Sequence, residues 1–202
     1  MNFVKTLLAS AALAVSFGAS ANVAGSLGGG AGSFLSLSSA GLSGGAVATL
    51  AGGTVYNTDM PFADIPAGTV FGNNFLASGP TAGSPATLTF TSAVNYVSFL
   101  WGSPDTYNLL TVNSTGGGSQ TFSAAGLGFP VTNGSQSFSQ YVQFAGVAGS
   151  QITSLSFTNI PSVDAFEVAN FTITPVPEPE TYALMLAGLG AMAMFARRRR
   201  AE

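Results

Sequence analysis

Ala86-Thr87-Leu88-Thr89-Phe90-Thr91 alternates apolar residues with threonine. A period of two puts Ala86, Leu88 and Phe90 on one side of an extended chain and the threonines on the other. Threonine is β-branched and suits a pleated, half-buried surface. The next stretch, Val94-Asn95-Tyr96-Val97-Ser98-Phe99-Leu100-Trp101, is nearly continuous in apolar residues. It reads as a central strand buried on both faces. Gly102-Ser103-Pro104-Asp105 has turn chemistry, and Tyr107 to Val112 is expected beyond it as the neighbouring strand. Phe138, Val142 and Phe144 share one face of a further strand. Leu155 and Phe157 do the same within residues 152–158. The last strand is expected over residues 164–174, with Glu167, Ala169, Phe171 and Ile173 facing one way and Phe166 and Val168 the other. Upstream, residues 34–38 and 46–50 carry weaker strand patterns. No amphipathic helix and no internal repeat interrupts this series. The expected fold is all-β, an antiparallel β-sandwich of jelly-roll type over residues 22–175.

Charge is distributed unevenly along the 202 residues. The basic residues are Lys5 and Arg197, Arg198, Arg199 and Arg200, and there is no histidine. Between Asn22 and Pro175 the only acidic side chains are Asp59, Asp64, Asp105, Asp164 and Glu167, and there are no basic ones. A body without cations cannot neutralise phosphates, which excludes nucleic acid as a partner. There is no cysteine, so stability rests on apolar burial. The Gly28-Gly29-Gly30 run lacks the lysine and helix start that a phosphate cradle needs.

The same inventory argues against catalysis. Acid–base and nucleophilic chemistry draws on His, Cys, Lys or paired carboxylates, and the first three are missing from the body. A carboxylate glycosidase would have to use Asp59 with Asp64, or Asp164 with Glu167. Solvated surface acids account for the same residues. No transition metal is expected without His or Cys, and Asp105 reads as a turn cap rather than a calcium ligand. No cofactor is expected. An aromatic platform for a sugar ring would be drawn from Trp101, Tyr107, Asn108 and Tyr141. Core packing competes with that account, for Trp101 above all. Thr87, Thr89 and Thr91 form a single hydroxyl row, of the kind that ice-binding faces repeat over many rungs. An ordinary solvent-facing strand explains one row.

The two ends read as targeting segments. Residues 1–21 combine Lys5, an apolar run over 6–15 and the small-residue site Ala19-Ser20-Ala21, the parts of a secretory signal peptide cleaved before Asn22. Residues 176–202 hold three blocks. Val176-Pro177-Glu178-Pro179-Glu180 is an extended linker, because its prolines block helix and sheet. Residues 182–196 are uncharged and would make a single transmembrane helix of about 22 Å. That is short for a bilayer core of ~30 Å, so thinning and snorkelling arginines are needed. Arg197 to Arg200 would stay cytoplasmic and place the body on the far side of the inner membrane.

These blocks resemble the PEP-CTERM sorting signal of Gram-negative bacteria, over about residues 176–200. The resemblance implies recognition of Pro177, Glu178 and Pro179 by exosortase, a membrane protease-transpeptidase. It implies a transient inner-membrane anchor, then release or transfer of the body to the cell surface or the extracellular space. Ser98 to Asn108, and loosely Phe166 to Phe171, are similar to one group of exosortase-dependent surface proteins with no assigned activity. Proteins with this tail usually accompany exopolysaccharide and biofilm production. The expected function is a non-enzymatic surface or matrix protein associated with extracellular polysaccharide and able to bind glycan. A self-associating structural or adhesive protein is the alternative, and a glycosidase the third.

Overall fold

The computed structural model describes residues 22–175, together with Met185, Leu189 and Met192. Twelve strands follow in order: β1 (Val23–Leu27), β2 (Leu37–Ser38), β3 (Gly41–Leu42), β4 (Ala48–Ala51), β5 (Thr54–Tyr56), β6 (Phe75–Ser78), β7 (Ala86–Gly102), β8 (Asn108–Ser114), β9 (Ser119–Ser123), β10 (Ser139–Gly146), β11 (Ile152–Asn159) and β12 (Phe166–Pro175). All pairings are antiparallel. The only helical segments in the body are two single 3₁₀ turns. The protein is all-β.

The organising element is β7, which serves two leaves of one folded sheet. Its first half, through Phe90, pairs with β4 on one side and β11 on the other. Leaf I therefore runs β2-β3-β4-β7-β11-β8-β9. Its second half, from Val94 onward, pairs with β10 and β12. Leaf II runs β1-β10-β7-β12-β6-β5. The sheet nearly closes where β1 meets β9. There the Val23 amide donates to Gln120 Oε1 at 2.6 Å. Gly25 is required at this seam, since a Cβ would lie 2.7 Å from the Phe144 ring and 2.8 Å from that of Phe122.

The alternation that opened the sequence is seen directly. Ala86, Leu88 and Phe90 are buried, while Thr89 and Thr91 are exposed and Thr87 is half-buried. Continuous burial from Val97 to Gly102 has two causes. One face packs into the core; the other lies under the segments that follow β1 and β5. Gly29 sits on Ser98, and Pro66 sits on Gly102. The core is aromatic. The Phe99 ring packs against Phe144, Phe157 and Phe171 at 5.8, 5.6 and 5.4 Å, and Trp101 stacks on Phe166 at 4.3 Å. Such contacts each add about 0.5–1.5 kcal/mol beyond area burial.

Two expectations need correction. The strand at 108–114 is no neighbour of the second half of β7, because β10 and β12 already flank it. Instead, residues 103–107 carry the chain across from leaf II to leaf I, where β8 pairs with β11 and β9. In β12 a register shift falls between Ala169 and Thr172, at Asn170, whose φ is +52°. The extra residue turns Phe171 into the main core with Phe166 and Val168, while Ala169 packs in a second, smaller cluster with Phe75 and Ala77.

Candidate functional site

The body has a polarity that its registers reveal. Ala24, Ala145, Tyr96 and Thr174 are successive partners across β1, β10, β7 and β12. Both ends of the body therefore leave at the same pole. Ser139, Gly102 and Glu167 form the row at the opposite end of leaf II. Seven residues of β12 lie between Glu167 and Pro175, roughly 25 Å of extended chain.

The carboxylates gather at that far pole. Glu167 is only 3% exposed, and its Oε2 has no hydrogen-bond partner. Burial, with added repulsion from Asp64 and Asp105, pushes its carboxyl up to about 9, against the lowering effect of the Asp64 backbone amide. At neutral pH it is a protonated acid. Asp64 is also raised, first by burial and then by neighbouring Asp59. Burial and the nearby Asp105 raise the Tyr107 phenol as well, with smaller contributions from Glu167 and Asp164. All five acids of the body thus sit around one end.

Two of these carboxylates hold local turns. Asp164 receives the Thr81 amide at 3.1 Å and the Thr81 hydroxyl at 2.6 Å, so both its oxygens cap a turn. Asp59 accepts the Ile65 amide at 2.8 Å. Glu167 faces Asp64 rather than Asp164, and its row is roofed by Pro66, which lies 2.7 Å from where a Gly102 Cβ would stand. Among the described residues no grouping of three acidic side chains is placed to hold a metal ion.

The four residues considered for a sugar platform are dispersed. Trp101 is fully buried and belongs to the core. Asn108 is also buried; it accepts the Asp105 amide at 2.7 Å and donates to Asn159 Oδ1 at 3.0 Å and the Ala165 carbonyl at 3.2 Å. Tyr107 donates its hydroxyl to the Asp164 carbonyl at 2.9 Å. Tyr141 lies on leaf II, its ring stacked on Phe34 at 6.0 Å and its hydroxyl accepting from Asn170. No single surface presents all four, and the two that contribute most area or polarity are inside.

Sequence reasoning missed the roles of two buried asparagines, Asn170 and Asn159. Asn170 holds the segment after β5: its Oδ1 accepts the Val70 amide at 2.9 Å and its Nδ2 donates to the Gly68 carbonyl at 2.8 Å. Asn159 donates to the Ser78 and Val163 carbonyls at 3.0 and 2.6 Å. Their signal is faint, an amide side chain inside an otherwise apolar strand.

Signal-cleavage residues Ala19 and Ala21, the Pro177-Glu178-Pro179 block and Arg197 to Arg200 lie outside the described residues. Met185, Leu189 and Met192 are helical and exposed. Among the described residues no helix is long and apolar enough to cross a membrane. Residues 175–200 match the family model of the PEP-CTERM protein-sorting motif. The chain carries a PEP-CTERM sorting tail. That motif implies an exported protein with a membrane-anchored precursor, sorted and processed by exosortase, a membrane enzyme. No curated protein and no solved structure matches the chain. The PEP-CTERM segment begins where β12 ends, at Pro175, on the pole shared by both ends of the body.

Proposed function

We propose that the chain is a non-enzymatic surface or matrix protein, delivered by exosortase and associated with extracellular polysaccharide. The observation that carries this is the PEP-CTERM motif directly after a folded body. In this reading residues 1–21 are removed after Ala21, and the body folds outside the inner membrane as a jelly-roll-like sandwich. Pro177, Glu178 and Pro179 are then recognised, and Arg197 to Arg200 hold the tail's end in the cytoplasm until processing. Exit of both ends at one pole supports the order of events, since each targeting segment can reach the same bilayer without crossing the body. The capped carboxylates and the enclosed Glu167 support a binding role over hydrolysis.

The test is made in native cells with and without exosortase. Mass spectrometry of the mature protein is expected to show an N-terminus at Asn22 and a C-terminus near the Pro177-Glu178-Pro179 block. Loss of exosortase is expected to leave the tail attached and the protein in the membrane fraction. Retention of the mature protein on the host's own exopolysaccharide tests the binding half. Assembly into polymers without any polysaccharide would favour the adhesive alternative.

A further inference from the structure

We infer that the outer face of leaf I is the surface that lies against polysaccharide, and that the polymer is uncharged and ordered; this rests on the polymer association proposed above. The sequence shows one row of hydroxyls, whereas the fold supplies the missing rungs from strands far apart in the chain. Thr87, Ser156, Thr111 and Thr121 are successive register partners across β7, β11, β8 and β9. An adjacent row passes through Ser154 and Asn113. Neighbouring strands stand ~4.8 Å apart, and residues two along a strand are separated by ~6.7 Å, so the groups form a two-dimensional lattice.

The lattice is ordered before any partner arrives. Thr87 Oγ1 and Ser156 Oγ share a hydrogen bond at 3.2 Å, Thr111 and Thr121 share one at 3.3 Å, and Asn113 Nδ2 donates to Ser154 Oγ at 2.9 Å. Groups already held lose little side-chain freedom on binding. Leaf II, by contrast, is covered on its outer side by the segments bearing Gly29 and Pro66.

Charge selects the partner. The body has no Lys, Arg or His, and its carboxylates stand at the far pole. A polyanion finds no counter-charge on leaf I, and a polycation is drawn to the acidic pole instead. A neutral polyhydroxylated chain exchanges hydroxyl–water bonds for hydroxyl–hydroxyl bonds, each with only a small net gain. That is too weak for one sugar, and no aromatic ring stands on these rows to stack one. Repetition along an ordered chain adds many such contacts once the first is made.

Co-sedimentation of the mature protein with microcrystalline cellulose, an uncharged polymer, and with alginate, a polyanion, tests the assignment. Retention on cellulose and not alginate is expected, with no competition from free glucose. Thr89→Glu combined with Thr121→Glu is expected to weaken retention about ten-fold or more, or ~1.4 kcal/mol. Asn95→Glu, exposed on β7 outside these rows, is expected to change it less than two-fold. Thermal melting verifies folding, and Thr121→Glu alone on edge strand β9 replaces the double variant if that fails to fold. A folded face variant that binds cellulose as well as the parent overturns the face assignment and leaves polymer association standing. Parent protein retained by neither cellulose nor the host's own polymer overturns both. Retention on alginate alone, or shaping of ice crystals without polymer retention, overturns the assignment.

Discussion

Asn170 donates its side-chain amide to the Tyr141 hydroxyl at 2.8 Å, tying the bulge of β12 to β10. The same side chain bonds Gly68 and Val70, so one buried amide pins the segment that covers leaf II. Asparagine also tolerates the left-handed φ of +52° that the bulge imposes. Asn170→Ala should lose three hydrogen bonds and strain the backbone, costing about 2–4 kcal/mol. Asn170→Gly keeps the backbone at ease and should cost less. Urea unfolding of both variants measures the difference, and an equal loss would mean that the hydrogen bonds, not the φ, carry the whole effect.

Burial of Glu167 makes stability depend on pH in an unusual direction for an acidic protein. Its folded pKa, near 9, lies above the ordinary carboxyl value. Above that ordinary value the unfolded chain releases a proton that the folded chain retains, so stability falls as pH rises. The contribution is full below about pH 4.5 and is lost progressively up to about pH 9. Asp64 is shifted the same way and reinforces the trend. Melting temperatures should decline from pH 5 to pH 9, and Glu167→Gln should flatten that decline while raising the melting temperature more at pH 8 than at pH 5. A parent protein that gains stability across this interval would contradict the burial of a neutral acid.

Trp101 is the only tryptophan and is fully buried against Phe166 and Phe129. Its fluorescence should be blue-shifted and poorly quenched by iodide in the folded state. Added polysaccharide should leave it unchanged, because the rows on leaf I do not include it. A red shift or quenching on polymer binding would place the contact at the aromatic core rather than on the hydroxyl rows.

How much of this was legible in the sequence depends on how local the cause was. The alternation at Ala86 to Thr91 and the apolar run to Trp101 were readable because side-chain period is a local property. That β7 belongs to two leaves was not, since nothing local marks where its partners change. The turn at Gly102 to Asp105 looked like a hairpin because hairpin and leaf-to-leaf crossing use the same turn residues. Phe171 was assigned to the wrong face because a single left-handed Asn170 resets the alternation. The hydroxyl lattice was visible only as its β7 row. Ser156, Thr111 and Thr121 join it through long-range register, which one-dimensional pattern cannot supply.

The arginine cluster gives the most direct test of sorting. Arg197 to Arg200 follow the apolar segment at the end of the PEP-CTERM match. Moving four charges through a bilayer is costly, and cytoplasmic retention of Lys and Arg sets orientation. Replacing all four with Gln should remove that hold, so that a larger share of unprocessed chain passes into the periplasmic fraction and less mature protein reaches the medium or surface. The body should melt at the same temperature in both proteins. Immunoblotting of cell fractions for the precursor and the processed form distinguishes the outcomes. Processing at the parental level in the four-Gln variant would show that exosortase acts without the charge clamp, leaving Pro177, Glu178 and Pro179 as the remaining recognition residues.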